Sequence, residues 1–240
     1  MNENPETKDK IDTISNELEW REGDMPYSNE FGDYYYSKSD GRLECNHVFI
    51  DGNDLKHRFA GSDRFVIGEL GFGTGLNFLE TLRQFKQYAG KNSLLDFHSF
   101  EINPLNAATI QKALSIWPEL DNELGQLLAV WPQNFEKEHF LELNENVNLH
   151  LHIGDVNDTL SKQNFLADAW YLDGFAPARN ESMWSLDLMQ EIALHTQRDG
   201  TFASYTAAGW VRRNLMDAGF EVQKAKGFAG KRDMICGIKN

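Results

Sequence analysis

The sequence predicts an α/β protein, with a mostly parallel sheet covered by helices on both faces and a small β-rich lobe in front of it. Three observations carry this. From Arg64 onward, short apolar runs alternate with segments of helical periodicity, the pattern of a parallel sheet with crossover helices. The first run, Phe65-Val66-Ile67, leads through Glu69 into three glycines at spacing two, Gly71, Gly73 and Gly75. Leu76, Phe78, Leu79 and Leu82 come next with helical spacing, so strand, tight turn and helix succeed one another. Before Arg64 the apolar runs are short and closely punctuated by turn dipeptides.

Residues 1–16 are polar with little periodicity and are expected to form a flexible N-terminus. Residues 17–62 form the small β-rich lobe. Leu18-Glu19-Trp20, Tyr34-Tyr35-Tyr36 and His47-Val48-Phe49-Ile50 read as short β runs, separated by Gly23-Asp24, Asp40-Gly41 and Asp51-Gly52-Asn53-Asp54. Residues 63–240 form the main domain. Strands are expected over 64–70, 94–101, 148–153, 169–172, 201–205, 221–225 and 234–238, which makes a seven-stranded sheet. Helices are expected over 76–87, 104–116, 185–196 and 209–218, the second with Pro104 in its first turn. Residues 118–142 read as helix and loop, with Trp117, Trp131 and Phe135 as packing residues.

Composition narrows the function classes. A chain of 240 residues with 41% hydrophobic content suits one domain with a sizeable core. No run approaches the roughly 20 apolar residues of a membrane span, and the polar, acidic Met1 to Lys10 does not read as a signal peptide. Cys45 and Cys236 form no metal-ligand pattern, so a reducing cytoplasm is the simplest location. The net charge of −14 disfavours nucleic acid on its face. It is unevenly spread, however, at −16 over residues 1–178 and +2 over residues 179–240. A local basic face and ordinary solvated charges both fit this count.

The glycine turn carries the chemistry. Glycines admit positive φ and a close ligand, and the helix start beyond it offers free N–H groups to a polar guest. The dinucleotide fingerprint is G-x-G-x-x-G/A, and its third glycine position here is Leu76. The pattern is E-x-G-x-G-x-G, which resembles motif I of the class I S-adenosylmethionine-dependent methyltransferases. Further acids stand at the ends of the next strands, where open α/β sheets bind ligands. Glu101 is placed to accept from a ribose diol, Asp155 from an adenine amino group, and Asp173 lies beside the transferred methyl. Each also fits a helix N-cap or a turn. His150 and His152 lack a third ligand at sensible spacing, so no metal site is expected. Ser99, Ser182 and Ser204 lack a nucleophile-elbow context.

Longer segments resemble the methyltransferase half of the bacterial bifunctional tRNA-modifying MnmC family, also found as a stand-alone domain. They include Phe31-Gly32-Asp33-Tyr34-Tyr35-Tyr36-Ser37, Glu69 to Phe78, and Trp170-Tyr171-Leu172-Asp173-Gly174-Phe175-Ala176-Pro177-Ala178. Met183-Trp184, Thr206 to Arg213, Lys226-Gly227-Phe228 and Gly230 to Met234 extend the likeness, which runs from about residue 18 to residue 238. The resemblance implies a Rossmann-like fold. It implies methyl transfer from S-adenosylmethionine to the primary amine of 5-aminomethyl-2-thiouridine at the tRNA wobble position. It also implies an FAD-dependent oxidase as fused or separate partner; the chain stops where that oxidase would begin, and no FAD-type G-x-G-x-x-G is present.

Carried over residue by residue, the cofactor contacts are Glu69, Gly71, Phe72, Gly73, Gly75, Asn77 and Phe78 at the first turn. Glu101, Asp155, Asp173 and Phe175 supply the others. Asp173 is the catalytic candidate, accepting a hydrogen bond and a proton from the amine. Trp184 and Tyr205 border the base, and Tyr34 offers a stacking ring, for which core packing is the alternative. Arg212, Arg213, Lys224, Lys226, Lys231 and Arg232 are the candidate tRNA patch. The chain departs from the family pattern at Ile102-Asn103-Pro104 and around Ala229. Three alternatives stay open: methylation of a small amine, a cofactor-binding partner of an oxidase without catalysis of its own, and an NAD-dependent oxidoreductase, against which Leu76 argues.

Overall fold

A computed structural model describes residues 18–21, 23–230 and 233–240. The expected flexible segment 1–16, Lys231 and Arg232 lie outside the described residues. No described helix is long and apolar enough to cross a membrane.

The chain opens with a three-stranded antiparallel sheet of β1 (Leu18–Arg21), β2 (Met25–Ser28) and β3 (Asp33–Tyr34). The rest of the lobe departs from the expected β structure. His47-Val48-Phe49-Ile50 is not a strand but part of a π-helical turn, Asn46–Asp51, set between α1 (Gly41–Cys45) and α2 (Leu55–Ala60). Val48, Phe49 and Ile50 are all buried. A short run that buries consecutive residues looks alike as a buried strand or a helix. Asp40 decides the start of α1, because its side chain accepts from the Leu43 N–H at 3.0 Å. Of the three tyrosines only Tyr34 is in a strand. Tyr36 is buried, with its hydroxyl donating to the Ala113 carbonyl at 2.9 Å.

The main body alternates as expected. It runs β4 (Arg64–Leu70), α3 (Leu76–Tyr88), β5 (Leu94–Glu101), α4 (Ala107–Leu114), α5 (Asp121–Val130), β6 (Glu138–Asn144), β7 (Val147–Ile153) and α6 (Val156–Thr159). Then come β8 (Ala167–Tyr171), α7 (Leu186–Leu194), β9 (Thr196–Ser204), α8 (Gly209–Asp217), β10 (Phe220–Lys226) and β11 (Asp233–Lys239). The sheet has eight strands, in the order β10-β11-β9-β8-β4-β5-β7-β6, rather than seven. The added strand is β6, antiparallel to β7 at the sheet edge. Only Leu141 and Leu143 of this strand are buried, since an edge strand buries a single row; two alternate leucines are a weak signal beside the helix before them.

Strands β9, β8, β4, β5 and β7 are mutually parallel. One face packs Ile67, Phe97, Leu149 and Leu151 with Leu79 and Leu82 of α3 and Ile110 of α4. The other packs Trp170, Phe202 and Ile235 with Leu188 and Ile192 of α7 and Leu215 of α8. The chain leaves β4 toward β5 and β7, then crosses back to β8 on the other side of β4. Strand order therefore reverses beside β4, and a crevice at the carboxyl ends of β4 and β8 results from the topology.

Candidate active site at the carboxyl edge of the sheet

A cavity of about 860 Å³ opens at that crevice. Its floor is the turn after β4. Gly71 (φ +80°), Gly73 (φ +55°) and Gly75 (φ +81°) all take left-handed conformations that side chains disfavour. The Gly71 N–H donates to the Phe100 carbonyl at 2.9 Å, which closes the turn onto β5. A Cβ built on Gly71 would stand 3.7 Å from the Gly174 Cα, so the turns after β4 and β8 abut. The acid-bearing loop and the glycine turn thus share one wall.

Four strand-end acids occupy this edge in four different ways. Glu69 is wholly buried and does not line the cavity. The Ser99 hydroxyl donates to its Oε2 at 2.6 Å and the Asn77 amide to its Oε1 at 3.2 Å. Burial pushes the Glu69 carboxyl well above the usual range; the Ser99 bond opposes this and the charge of Asp173 adds to it. The Asn77 amide also donates to Asp173 Oδ2 at 2.7 Å, so one side chain ties the buried acid to the half-buried loop after β8. Expected as a cofactor contact, Glu69 lies beneath the cavity wall, where it accepts from Asn77.

Glu101 lines the cavity, and its carboxylate receives the Gly73 and Asn103 N–H groups, each at 2.8 Å. Burial raises this group, and those backbone donors hold it down. Asp155 realises its N-cap alternative, accepting from the Asn157 N–H at 2.9 Å, while also lining the cavity. Asp173 is fixed by Asn77 and by the Gly174 N–H, which donates to Oδ1 at 2.8 Å. The Tyr205 hydroxyl donates to the Gly174 carbonyl at 2.8 Å, and burial pushes that phenol up, with the Asp173 charge adding. A carboxylate held by two donors on a cavity wall is a hydrogen-bond acceptor for a cationic or N–H-bearing ligand.

A family model described as S-adenosyl-L-methionine-dependent methyltransferase matches residues 118–240, just over half the chain. The chain belongs to this methyltransferase family. S-adenosylmethionine is the methyl donor of the family, and the positive-φ glycine turn with its adjoining acids fits such a group. Bifunctional MnmC proteins of tRNA 5-methylaminomethyl-2-thiouridine biosynthesis are similar over 92% of this chain. The protein from Chromohalobacter salexigens is 44% identical over 32% of its own length, and that from Aeromonas hydrophila 43% identical over 35%. The chain thus spans about a third of the length of the curated relatives it matches. The solved structure of MNMC2 from Aquifex aeolicus superposes with a TM-score of 0.73 at 22% identity, covering 89% of this chain and 66% of that one; this shows the shared fold.

Other expected site residues of this methyltransferase fall into two groups. Gly71, Gly73, Asn77, Phe175, Tyr34 and Tyr205 line the cavity, as does Phe72, although its ring stacks on Trp131 at 5.1 Å. Gly75, Phe78 and Trp184 do not line it. Gly75 is the left-handed residue that caps α3. Phe78 is wholly buried against Phe97 at 5.0 Å, as its place in the helical repeat with Leu79 and Leu82 requires. Trp184 is also wholly buried; its indole donates to the Phe175 carbonyl at 3.4 Å and supports the loop from behind.

Arg212 and Arg213 on α8 and Lys226 at the end of β10 lie off the cavity. Arg213 folds back so that its Nη1 would stand 3.5 Å from a Cβ on Gly209, toward the helix start. Lys224 pairs with Asp233. His150 stacks on His98 at 4.1 Å, and among the described residues no group of three or more His, Cys, Asp or Glu is arranged to hold a metal.

Sequence reasoning missed the cavity contributions of Phe31, Asp33, Glu44, Ile102 and Met183. Ile102 carried a signal, since an apolar residue directly after a strand-end acid is 52% exposed on the cavity wall. Tyr35 covers the glycine turn, its ring carbon 3.3 Å from where a Gly73 Cβ would stand. Tyr34 carries Lys38 over its ring at 4.3 Å, and the Lys38 hydrogen bond draws its hydroxyl below the usual range.

Proposed function

We propose that this chain is a cytoplasmic tRNA N-methyltransferase. It would transfer a methyl group from S-adenosylmethionine to the primary amine of 5-aminomethyl-(2-thio)uridine at the wobble position, giving the 5-methylaminomethyl product. The observation that carries the reading is Asp173, fixed by Asn77 and Gly174 where the glycine turn meets the loop after β8. The names of the relatives, each about three times longer than this chain, supply the substrate class.

Gly71, Gly73, Asn77, Glu101 and Asp155 would hold the cofactor, and Phe175 and Tyr205 would bound the acceptor side. When bound, S-adenosylmethionine supplies an electrophilic methyl on a sulfonium. A protonated amine has no lone pair for that carbon. Asp173 accepts a hydrogen bond from the amine nitrogen, turns its lone pair toward the methyl and takes the departing proton. Positioning of this kind supplies up to roughly 7–11 kcal/mol of a barrier, and proton acceptance about 10²–10⁴-fold. Glu69 and Ser99 act by holding Asn77, and Asn77 by holding Asp173. Arg212, Arg213 and Lys226 would meet the tRNA backbone, and an FAD-dependent oxidase, fused or separate, would supply the amine.

The test is transfer of labelled methyl from S-adenosylmethionine to bulk tRNA lacking the terminal methyl, followed by nucleoside separation. Label in the wobble nucleoside supports the reading. Label only in free amines or nucleosides, with none in tRNA, overturns it in favour of a small-amine methyltransferase.

A further inference from the structure

The N-terminal lobe reaches the cavity through the segment between β2 and β3. This strap, residues 29–32, is fixed on both sides of the opening. On the β5 side, the Asn103 amide donates to Glu30 Oε2 at 3.1 Å; on the β8 side, Arg179 Nη1 donates to the Phe31 carbonyl at 3.2 Å. Both bonds are solvent-exposed and exchange readily with water. Gly32 takes φ +62°, a left-handed conformation that favours glycine, and a Cβ there would stand 3.0 Å from Arg179 Nη1, the end of a flexible side chain.

Beneath the strap, Phe31 stacks on Phe175 with centroids 4.5 Å apart and planes 15° apart. Tyr35 meets the same Phe175 ring edge-on at 5.5 Å. Phe31 and Phe175 are both half-buried, line the cavity and belong to neither hydrophobic core. Their stacking therefore lies on the cavity wall, outside the two cores. The glycine turn, Glu101 and Asp155 take the β4–β5–β7 half of the cavity, and this aromatic pair stands over the β8 half. Phe175 and Asp173 stand two residues apart in the loop after β8 and both line the cavity, so a planar ring on Phe175 would lie on the wall that carries this carboxylate.

We propose that Phe31 and Phe175 form a bracket for the planar ring of the acceptor. The strap opens to admit the ring, which takes the place each phenylalanine now offers the other, and Phe31 closes on its second face. This rests on the reading of the acceptor as a nucleobase bearing the amine. Phe31 is then a specificity-determining residue that is absent from the catalytic step.

The experiment compares wild type with Phe31→Ala, Phe31→Leu and Phe31→Trp, using tRNA lacking the terminal methyl as acceptor and calorimetry for S-adenosylmethionine. Loss of one base-stacking ring reduces affinity by about 10–100-fold, and this is the expected fall in kcat/KM for Ala and for Leu, expressed mainly in KM. Trp retains the wild-type value, and the cofactor Kd is unchanged throughout. The inference is overturned if Ala matches wild type, if Leu matches Trp, or if the cofactor Kd rises by the same factor as KM. Wild type that transfers nothing to tRNA overturns the functional reading, and this inference with it; failure of the Phe31 series alone appears only with an active wild type.

Discussion

Asn77 ties two acids of the site together, and its replacement by aspartate tests the arrangement with little change in side-chain volume. The wild-type amide donates to Glu69 at 3.2 Å and to Asp173 at 2.7 Å. Asn77→Asp removes both donated bonds and sets a third carboxyl between two others. Bonds to charged groups contribute about 1.5–3 kcal/mol each. Two like charges about 4 Å apart repel by roughly 4 kcal/mol at an effective dielectric constant of 20. The trio then retains a proton above the ordinary carboxylate range, about 3.9–4.3. The folded state binds more protons than the unfolded one, so stability is highest at low pH and falls as pH rises. Urea unfolding of Asn77→Asp and of Asn77→Leu, followed from pH 5 to pH 8, separates the two effects. Both variants lose stability through the missing donors, and the Asp variant loses about 2–3 kcal/mol more at pH 8 than at pH 5 relative to Leu, the rest of the roughly 4 kcal/mol being lost below pH 5. Parallel pH profiles for the two variants refute the coupling of Glu69, Asn77 and Asp173.

Three further outcomes are expected from the same geometry. Burial raises Glu69, so wild-type stability falls as pH climbs above the ordinary carboxylate value; Glu69→Gln removes that slope, and its advantage in urea midpoint over wild type grows from pH 5 to pH 8. A Cβ on Gly68 would stand 2.5 Å from the wholly buried Trp170 ring, so Gly68→Ala lowers unfolding stability by about 1–3 kcal/mol, and an unchanged melting temperature contradicts the packing. Replacing Arg212 and Arg213 by Ala weakens tRNA binding at low salt and flattens its salt dependence by about 2 in logarithmic slope, whereas an unchanged slope removes α8 from the tRNA surface.

The alternation of strands and helices from Arg64 onward was legible because β4 and β8 carry short apolar runs, β7 alternates apolar and polar residues, and the long helices carry a 3.6-residue stripe. The strand-end acids were legible for a related reason, since a charged residue closing an apolar run marks the point where the chain leaves the sheet. Phe78 shows the limit of motif reasoning: its place in the glycine segment suggested a ligand contact, while its phase with Leu79 and Leu82 sent it into the core. Trp184 likewise sits next to a cavity loop in sequence and behind it in space. The helical turn at Val48 to Ile50 hid because three consecutive buried residues have no period to read. The strap was not legible at all. Phe31 meets Phe175 across 144 residues of chain, and Arg179 reaches the Phe31 carbonyl across 148; nothing local in either segment encodes that contact.

Single-turnover methyl transfer by wild type and Asp173→Asn at saturating S-adenosylmethionine, with cofactor affinity measured in parallel, tests the role of Asp173 most directly. The amide keeps the size of the aspartate and cannot take the amine proton. The transfer rate is expected to fall by about 10²–10⁴-fold while the cofactor Kd stays near wild type. Methyl transfer by the Asp173→Asn variant at the wild-type rate contradicts the assignment of the proton acceptor and the central claim built on it.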